Sequence, residues 1–192
     1  MKTGKQFTAT ASIAVAAIAA IVLGYSHPAH TCGLEPSING GITISYQGSI
    51  DVAVAVASAR SSGLLPPASA AKIPNEVRLQ GMLTDLRRLQ TRLSKARDQI
   101  PNDSAAPFSL VLVGPGLWSH FHMTAGGVLA NYHTSGPLTG KVVVLTHATA
   151  LRAMLVGNLS IEQATELGLI AYSGVDISPI QRAFEFSLQA KT

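Results

Sequence analysis

The segment 141–174 most constrains what this chain can fold into, because it predicts four consecutive secondary-structure elements. Residues 141–145 form a continuous aliphatic run rich in β-branched side chains, which is typical of a strand covered on both faces. A helix is predicted next, with Thr146 as its cap and Gly157 as its left-handed end.

Two further elements complete this segment. Ser160 begins a second, short helix, and Gln163 three residues later completes the pattern of a capping box. Gly168 ends that helix, and residues 169–172 are short, apolar and strand-like. The segment contains no catalytic pattern and is typical of a scaffold that covers something apolar.

The longest predicted helix begins at Asn75. Seven of its apolar residues repeat at alternating spacings of 3 and 4, on one side of the helix: Leu79, Met82, Leu86, Leu89, Leu93, Ala96 and Ile100. The arginines on its other faces are interpreted as a solvated surface. Two interpretations of the apolar stripe stay open. Either the helix lies across a sheet of its own chain, or the stripe contacts a partner protein or a second copy of the chain. The contact residues of the second interpretation are Leu79, Met82, Leu86, Leu89 and Leu93.

From residue 108 onward the apolar period changes from helical to alternating. Three strands are predicted at 108–113, 117–123 and 128–133, and the glycine-containing turns between them indicate an antiparallel meander. Ser178-Pro179 marks the start of a closing helix. The predicted fold class is therefore α/β of the α+β type, with a five-stranded, mainly antiparallel sheet covered by helices.

Packing residues at fixed positions in the segment 142–174 carry a resemblance to a known family. They are Leu151, Leu155, Gly157, Leu159, Ala164, Gly168 and Gly174. With the order of elements over residues 75–190, they resemble the sterol carrier protein type two family. The resemblance implies helices on one side of the sheet and an apolar tunnel for a lipid, fatty acyl chain or sterol/hopanoid-like molecule. By this analogy the ligand lies under the C-terminal helix, and the ligand-binding residues are Leu151, Leu155, Ile180, Phe184 and Leu188.

The N-terminus predicts export. Two lysines precede an apolar run within residues 1–26, which are therefore interpreted as a signal peptide or membrane anchor. Residues 27–74 are predicted to be an extension and linker, in which 49–62 favours a helix over a strand, and the extension is expected to pack on the domain that follows it. Residues 75–192 are predicted, from the resemblance, to form a sterol-carrier-like domain. The predicted location is secreted or periplasmic, with a membrane tether if the N-terminal segment is not cleaved.

Charge gives little sign of a nucleic-acid partner. The formal net charge of the whole chain is +4. Residues 1–26 hold two lysines and no acidic residue, so 12 basic and 10 acidic residues remain beyond them, a net charge of +2. We therefore expect no nucleic-acid binding.

Histidines supply the alternative of a metal site. His120 and His122 alternate on a predicted strand, so they share one face and can bind one zinc or copper ion. A polar, solvent-facing strand explains the same pair. Near the N-terminus, His27, His30 and the single cysteine, Cys32, form a second, weaker ligand pattern.

No motif for catalysis stands out in the sequence. There is no Gly-x-Ser-x-Gly elbow and no phosphate-binding loop of glycines and lysine. We expect a protein that is not an enzyme and uses no cofactor. Its predicted function is binding of a hydrophobic ligand. The alternatives are an accessory or oligomerisation role through the 79–100 stripe, and histidine-based metal binding.

Overall fold

Eleven secondary-structure elements follow one another along residues 46–69, 73–99 and 106–189, which are the residues that the computed structural model describes. The helices are α1 (Ser49–Ser61), α2 (Asn75–Lys95), a 3₁₀ turn (Arg97–Gln99), α3 (Ala148–Leu155), α4 (Ile161–Glu166) and α5 (Ser178–Leu188). The strands are β1 (Phe108–Val113), β2 (Leu117–Thr124), β3 (Gly127–Thr134), β4 (Val142–His147) and β5 (Ile170–Ser173).

The strands form one sheet in the order β3-β2-β1-β4-β5. The β1–β2, β2–β3 and β4–β5 pairs are antiparallel, and the central β1–β4 pair is parallel. This confirms the predicted α+β class and the mainly antiparallel, five-stranded sheet. All six side chains of β1 and the first five of β4 are buried, because these central strands are covered on both faces.

One face of the sheet carries an aromatic row, and we call it the aromatic face. Phe108 on β1 stacks against Phe121 on β2 with ring centroids 5.0 Å apart. Phe184 of α5 packs edge-on against Phe108 at 5.7 Å. Tyr132 on β3 contacts Phe121 and donates a hydrogen bond to Gln90 of α2. Helices α2 and α5 therefore both lie on the aromatic face.

Helix α1 lies on the opposite face of the sheet. Val111 is three residues from Phe108 on β1, so its side chain points to the opposite face from the aromatic face. Trp118 is paired with Val111 on the neighbouring strand and lies on the same opposite face. Tyr46, just before α1, packs edge-on against Trp118 at 5.5 Å, and α1 itself contacts β4 and β1. Val52 and Val56, one helical turn apart, are buried there, as the favoured helical interpretation of 49–62 requires.

The implication that helices cover only one side of the sheet is therefore wrong. Strands β1 and β4 are apolar on both faces, so the second face also needs an apolar cover. Helix α1 supplies that cover from within the segment predicted to be an extension and linker, residues 27–74. Residues 1–26 and Cys32 lie outside the described residues.

The predicted cap at Thr146 is also wrong. Strand β4 continues for one more residue, and His147 is the N-cap of α3, because its Nδ1 accepts a hydrogen bond from the Thr149 N–H at 3.1 Å. Thr146 is fully buried and donates its hydroxyl to the Leu169 carbonyl at 2.8 Å. Its side chain therefore joins the end of β4 to the start of the β5 segment.

The other predicted helix ends in this segment are confirmed. Gly157 and Gly168 adopt left-handed conformations, with φ of 80° and 68°, each one residue past the C-cap of α3 or α4. The Ser160 hydroxyl accepts a hydrogen bond from the Gln163 N–H at 3.1 Å and caps α4.

Candidate functional site

The structure brings the five predicted ligand-binding side chains into one core. Helices α3 and α5, which carry them, both pack against α2 on the side of the aromatic face. All five side chains are buried in the same apolar cluster: Leu151, Leu155, Ile180, Phe184 and Leu188. These residues span 38 positions in the sequence, and the fold brings them together in one continuous apolar layer.

Phe184 is central to this layer. Its ring packs edge-on against Phe108 at 5.7 Å and against Tyr172 of β5 at 6.0 Å. Burial, and to a lesser extent the Glu185 carboxylate, raises the pKa of Tyr172 above its ordinary value. The phenol therefore stays neutral at physiological pH. The side chain of Phe184 occupies the space under α5 to which the resemblance assigned a ligand.

Ser119 is a polar residue of this layer that sequence reasoning did not select. It lies on β2 two residues from Phe121, and so on the aromatic face. The side chain is fully buried, and its hydroxyl has no hydrogen-bond partner among the described residues. Leaving a buried hydroxyl unsatisfied costs about 1–3 kcal/mol. The available sequence signal was a serine in the otherwise apolar row of alternate residues along β2.

A groove of about 610 Å³ runs along the exposed side of α2, and we call it the basic groove. Its lining residues are Thr84, Arg87, Arg88, Thr91, Arg92, Lys95 and Leu155. Four of these side chains are cationic and none is acidic. Leu155 is also one of the predicted ligand-binding residues, so the groove reaches the edge of the apolar layer.

A smaller groove of about 230 Å³ has the opposite charge. It lies beside α4 and α5, and its lining residues are Ile161, Glu162, Thr165, Glu166, Tyr172, Gln181 and Glu185. Three carboxylates border it. The two grooves therefore present opposite charges to an incoming ligand.

The apolar stripe of α2 packs against its own chain. Met82, Leu86, Leu89 and Leu93 are buried in the core, and Leu79 is partly buried against it. Helix α2 contacts β3, α3 and α5. Of the two interpretations that the sequence left open, these contacts match a helix lying across a sheet. In the folded domain Met82, Leu86, Leu89 and Leu93 are therefore covered by their own chain and are not accessible to a partner.

His120 and His122 share the face of β2 that is opposite the aromatic face, in agreement with their alternation. The Nε2 atom of His120 lies 2.7 Å from the Gly136 carbonyl oxygen, and His122 is exposed. Among the described residues, no group of three or more His, Cys, Asp and Glu side chains could hold a metal ion. The weaker pattern of His27, His30 and Cys32 falls outside the described residues.

His147 is the most strongly perturbed histidine of the described fold. Burial, followed by the positive charge of Arg60, lowers its pKa from 6.5 to about 4. Arg60 donates a hydrogen bond to the Thr149 hydroxyl at 3.2 Å and so ties α1 to the start of α3. The neutral imidazole serves as a helix cap, which is a structural role.

Comparison with known proteins found no matching family model, and neither the curated proteins nor the solved structures gave a significant match. Within residues 46–69, 73–99 and 106–189, no helix has the length and apolar character needed to cross a membrane.

Proposed function

We propose that this chain is a non-catalytic binding protein for a hydrophobic ligand, a lipid, fatty acyl chain or sterol-like molecule, held on the aromatic face under α5. One observation carries the proposal. The five predicted side chains from α3 and α5 converge on a layer that contains Phe108, Phe121 and Ser119, whose hydroxyl has no hydrogen-bond partner in the described part of the chain. A ligand with a hydrogen-bonding group would satisfy that hydroxyl.

The layer is closed, so the ligand must displace α5. Helix α5 buries three large side chains, Ile180, Phe184 and Leu188. Each is worth about 2–3 kcal/mol, and an acyl chain gains about 0.8 kcal/mol per buried CH₂ group. About ten buried methylene groups are therefore needed to replace the three side chains. This arithmetic favours long-chain ligands over short ones.

The export predicted from the N-terminus indicates where such a protein would act. A secreted or periplasmic binding protein with a closed apolar layer would carry or retain its ligand outside the cytoplasm. The sterol carrier resemblance supports the same class of ligand.

The first experiment uses the purified, delipidated full chain and the fluorescent fatty acid cis-parinaric acid. We expect the probe to bind, palmitate to displace it, and octanoate to leave it bound, because octanoate has too few methylene groups. Solvent extraction and mass spectrometry of freshly purified protein should also detect a long-chain lipid. A protein that binds no probe and carries no lipid would overturn the proposal.

A matched pair of variants locates the site. Phe184→Leu reduces the side chain that competes with the ligand for the Phe108 ring, so affinity for cis-parinaric acid should rise several-fold. Val56→Ala removes volume on the opposite face of the sheet, where Val56 is equally buried. Its affinity for the probe should stay at the wild-type value. Equal effects of the two substitutions would place the ligand elsewhere.

A further inference from the structure

The cations of the basic groove are arranged along one side of α2. Arg88, Arg92 and Lys95 follow one another at spacings of four and three residues, and Arg87 lies beside Arg88. At 1.5 Å per residue, the distance along the helix from Arg87 to Lys95 is about 12 Å. Each pair of like charges at these spacings destabilises a helix by about 0.2–0.5 kcal/mol. The helix dipole offsets this repulsion for Arg92 and Lys95, which lie in the last turn of α2.

Carboxylates neutralise little of this charge. Within the described residues, both ion pairs of this region involve Asp85, whose Oδ2 lies 2.8 Å from Arg152 and whose Oδ1 lies 3.8 Å from Arg88. Asp85 is therefore engaged mainly by Arg152, which does not line the groove. Arg87 and Lys95 are exposed and form no ion pair among the described residues.

The groove also has a fixed element. Arg92 is partly buried, and its Nη2 donates a hydrogen bond to the Leu155 carbonyl at 2.7 Å. This bond holds the guanidinium at the floor of the groove, with its remaining N–H donors unused by that contact. A guanidinium fixed in this way binds an anion with less loss of side-chain entropy than a free one.

The two threonines that line the groove have no hydroxyl hydrogen to donate to a ligand. The hydroxyl hydrogens of Thr84 and Thr91 are donated to carbonyls of their own helix, those of Gln80 and Arg87, at 2.8 and 2.9 Å. The donors that the groove offers to a ligand are therefore guanidinium and ammonium groups. Guanidinium forks match the oxygen geometry of phosphate, which also carries the charge that four cations require.

We propose that the basic groove is a binding site for a phosphate-bearing anion. Arg87, Arg88 and Arg92 are its phosphate contacts, and Lys95 adds a point charge at the end of the groove. Pyrophosphate, with two linked phosphate groups, is a simple anion that can contact more than one of these cations at once. Leu155 borders both the groove and the apolar layer, but the phosphate contacts all come from α2 and do not require a ligand in that layer. A free phosphate compound or a lipid headgroup would present the same chemistry to the groove.

The experiment measures pyrophosphate binding to the full chain by isothermal titration calorimetry at low ionic strength. The test variant is Arg88→Gln with Lys95→Gln. Its control is Arg78→Gln with Lys141→Gln, which removes the same charge from exposed positions outside the groove, one of them on the same helix. We expect the test variant to bind about tenfold more weakly, equivalent to about 1.4 kcal/mol. The control should remain within about twofold of wild type, a difference of about 0.4 kcal/mol.

A second arm identifies the source of the phosphate. Sedimentation with phosphatidylglycerol vesicles is compared with sedimentation with phosphatidylcholine vesicles, using the same variants. Vesicle binding that is lost only in the test variant supports a lipid headgroup, and pyrophosphate binding with the same dependence supports a free phosphate compound. Both arms failing in the wild-type chain, or equal losses in test and control variants, would overturn the proposal. The unfolding midpoint of each variant, measured in urea, confirms that it is folded.

Discussion

The contact between Asp85 of α2 and Arg152 of α3 predicts that the stability of the fold is sensitive to substitution of Arg152. The Asp85 side chain is only 3% exposed, and its Oδ2 accepts hydrogen bonds from the Arg152 guanidinium at 2.8 Å. Arg88, the other cation near this carboxylate, is 3.8 Å away and 60% exposed. Arg152→Ala therefore leaves a buried carboxylate without its short-range partner, whereas Arg88→Ala removes a distant and solvated one.

The magnitudes of the two substitutions should differ clearly. A hydrogen bond to a charged group is worth about 1.5–3 kcal/mol, and breaking a fully buried ion pair costs about 3–5 kcal/mol. Because the Arg152 side chain is 57% exposed, the lower range applies, and we expect Arg152→Ala to lower the free energy of unfolding by about 2 kcal/mol. For Arg88→Ala we expect a loss of less than about 0.5 kcal/mol.

Urea unfolding at pH 7, followed by circular dichroism, measures both effects. A double-mutant cycle of Asp85→Ala and Arg152→Ala should give a coupling energy of about 1.5 kcal/mol, because the residues are in direct contact. If Arg152→Ala and Arg88→Ala cost the same within 0.5 kcal/mol (about the error of such comparisons), the assignment of Asp85 to Arg152 would be refuted.

Five further substitutions, in four comparisons, test other parts of the structure. The His147 pKa is about 4 when folded and 6.5 when unfolded, so stability should fall by at most about 3 kcal/mol as the pH drops from 6.5 to 4. His147→Asn, which can still cap α3, should flatten this dependence in unfolding measurements at pH 7 and 4.5. In urea unfolding, Gly157→Ala should lower the free energy of unfolding by about 1–2 kcal/mol, and Gly174→Ala should lower it by much more. Both have positive φ, but a β-carbon at 174 would lie 3.1 Å from the β4 backbone, and one at 157 would meet open space. Leu89→Ala should cost about 2–5 kcal/mol without changing the oligomeric state seen by light scattering, since Leu89 is fully buried in its own domain. Ser119→Ala should raise the free energy of unfolding by about 1 kcal/mol, because it removes a buried hydroxyl that no described residue satisfies. An unchanged or lower value would show that the hydroxyl is satisfied.

The sequence predicted features that depend on neighbours along the chain. Left-handed glycines at 157 and 168 and the Ser160 cap follow from local geometry, and the structure has them where they were expected. The cap at Thr146 was misassigned, because the end of β4 depends on its pairing with β1 and β5. Local pattern does not determine how far such pairing extends.

Features built from distant residues were not predictable in the same way. The basic groove exists because α3 packs beside α2 and places Leu155 next to Arg92, 63 residues away in sequence. The sequence alone showed only arginines on the outer faces of a helix. The sequence indicated that the extension packs on the domain but not which face of the sheet it covers, since the contact of α1 with β4 and β1 joins residues far apart along the chain.

The irregular end of β3 has a consequence for how this protein behaves beside other chains. Pairing between β2 and β3 shifts by one residue, and the extra residue, His133, has a φ of 63°. A bulge at an outer strand interrupts the row of N–H and C=O groups that an incoming strand would need. At the other edge, β5 is only four residues long. Within the described residues, the bulge therefore limits the regular outer edge of β3 to residues 127–132, and β5 limits the other edge to four residues. A foreign strand would find only short borders to pair with, although Leu129 on β3 is exposed to solvent.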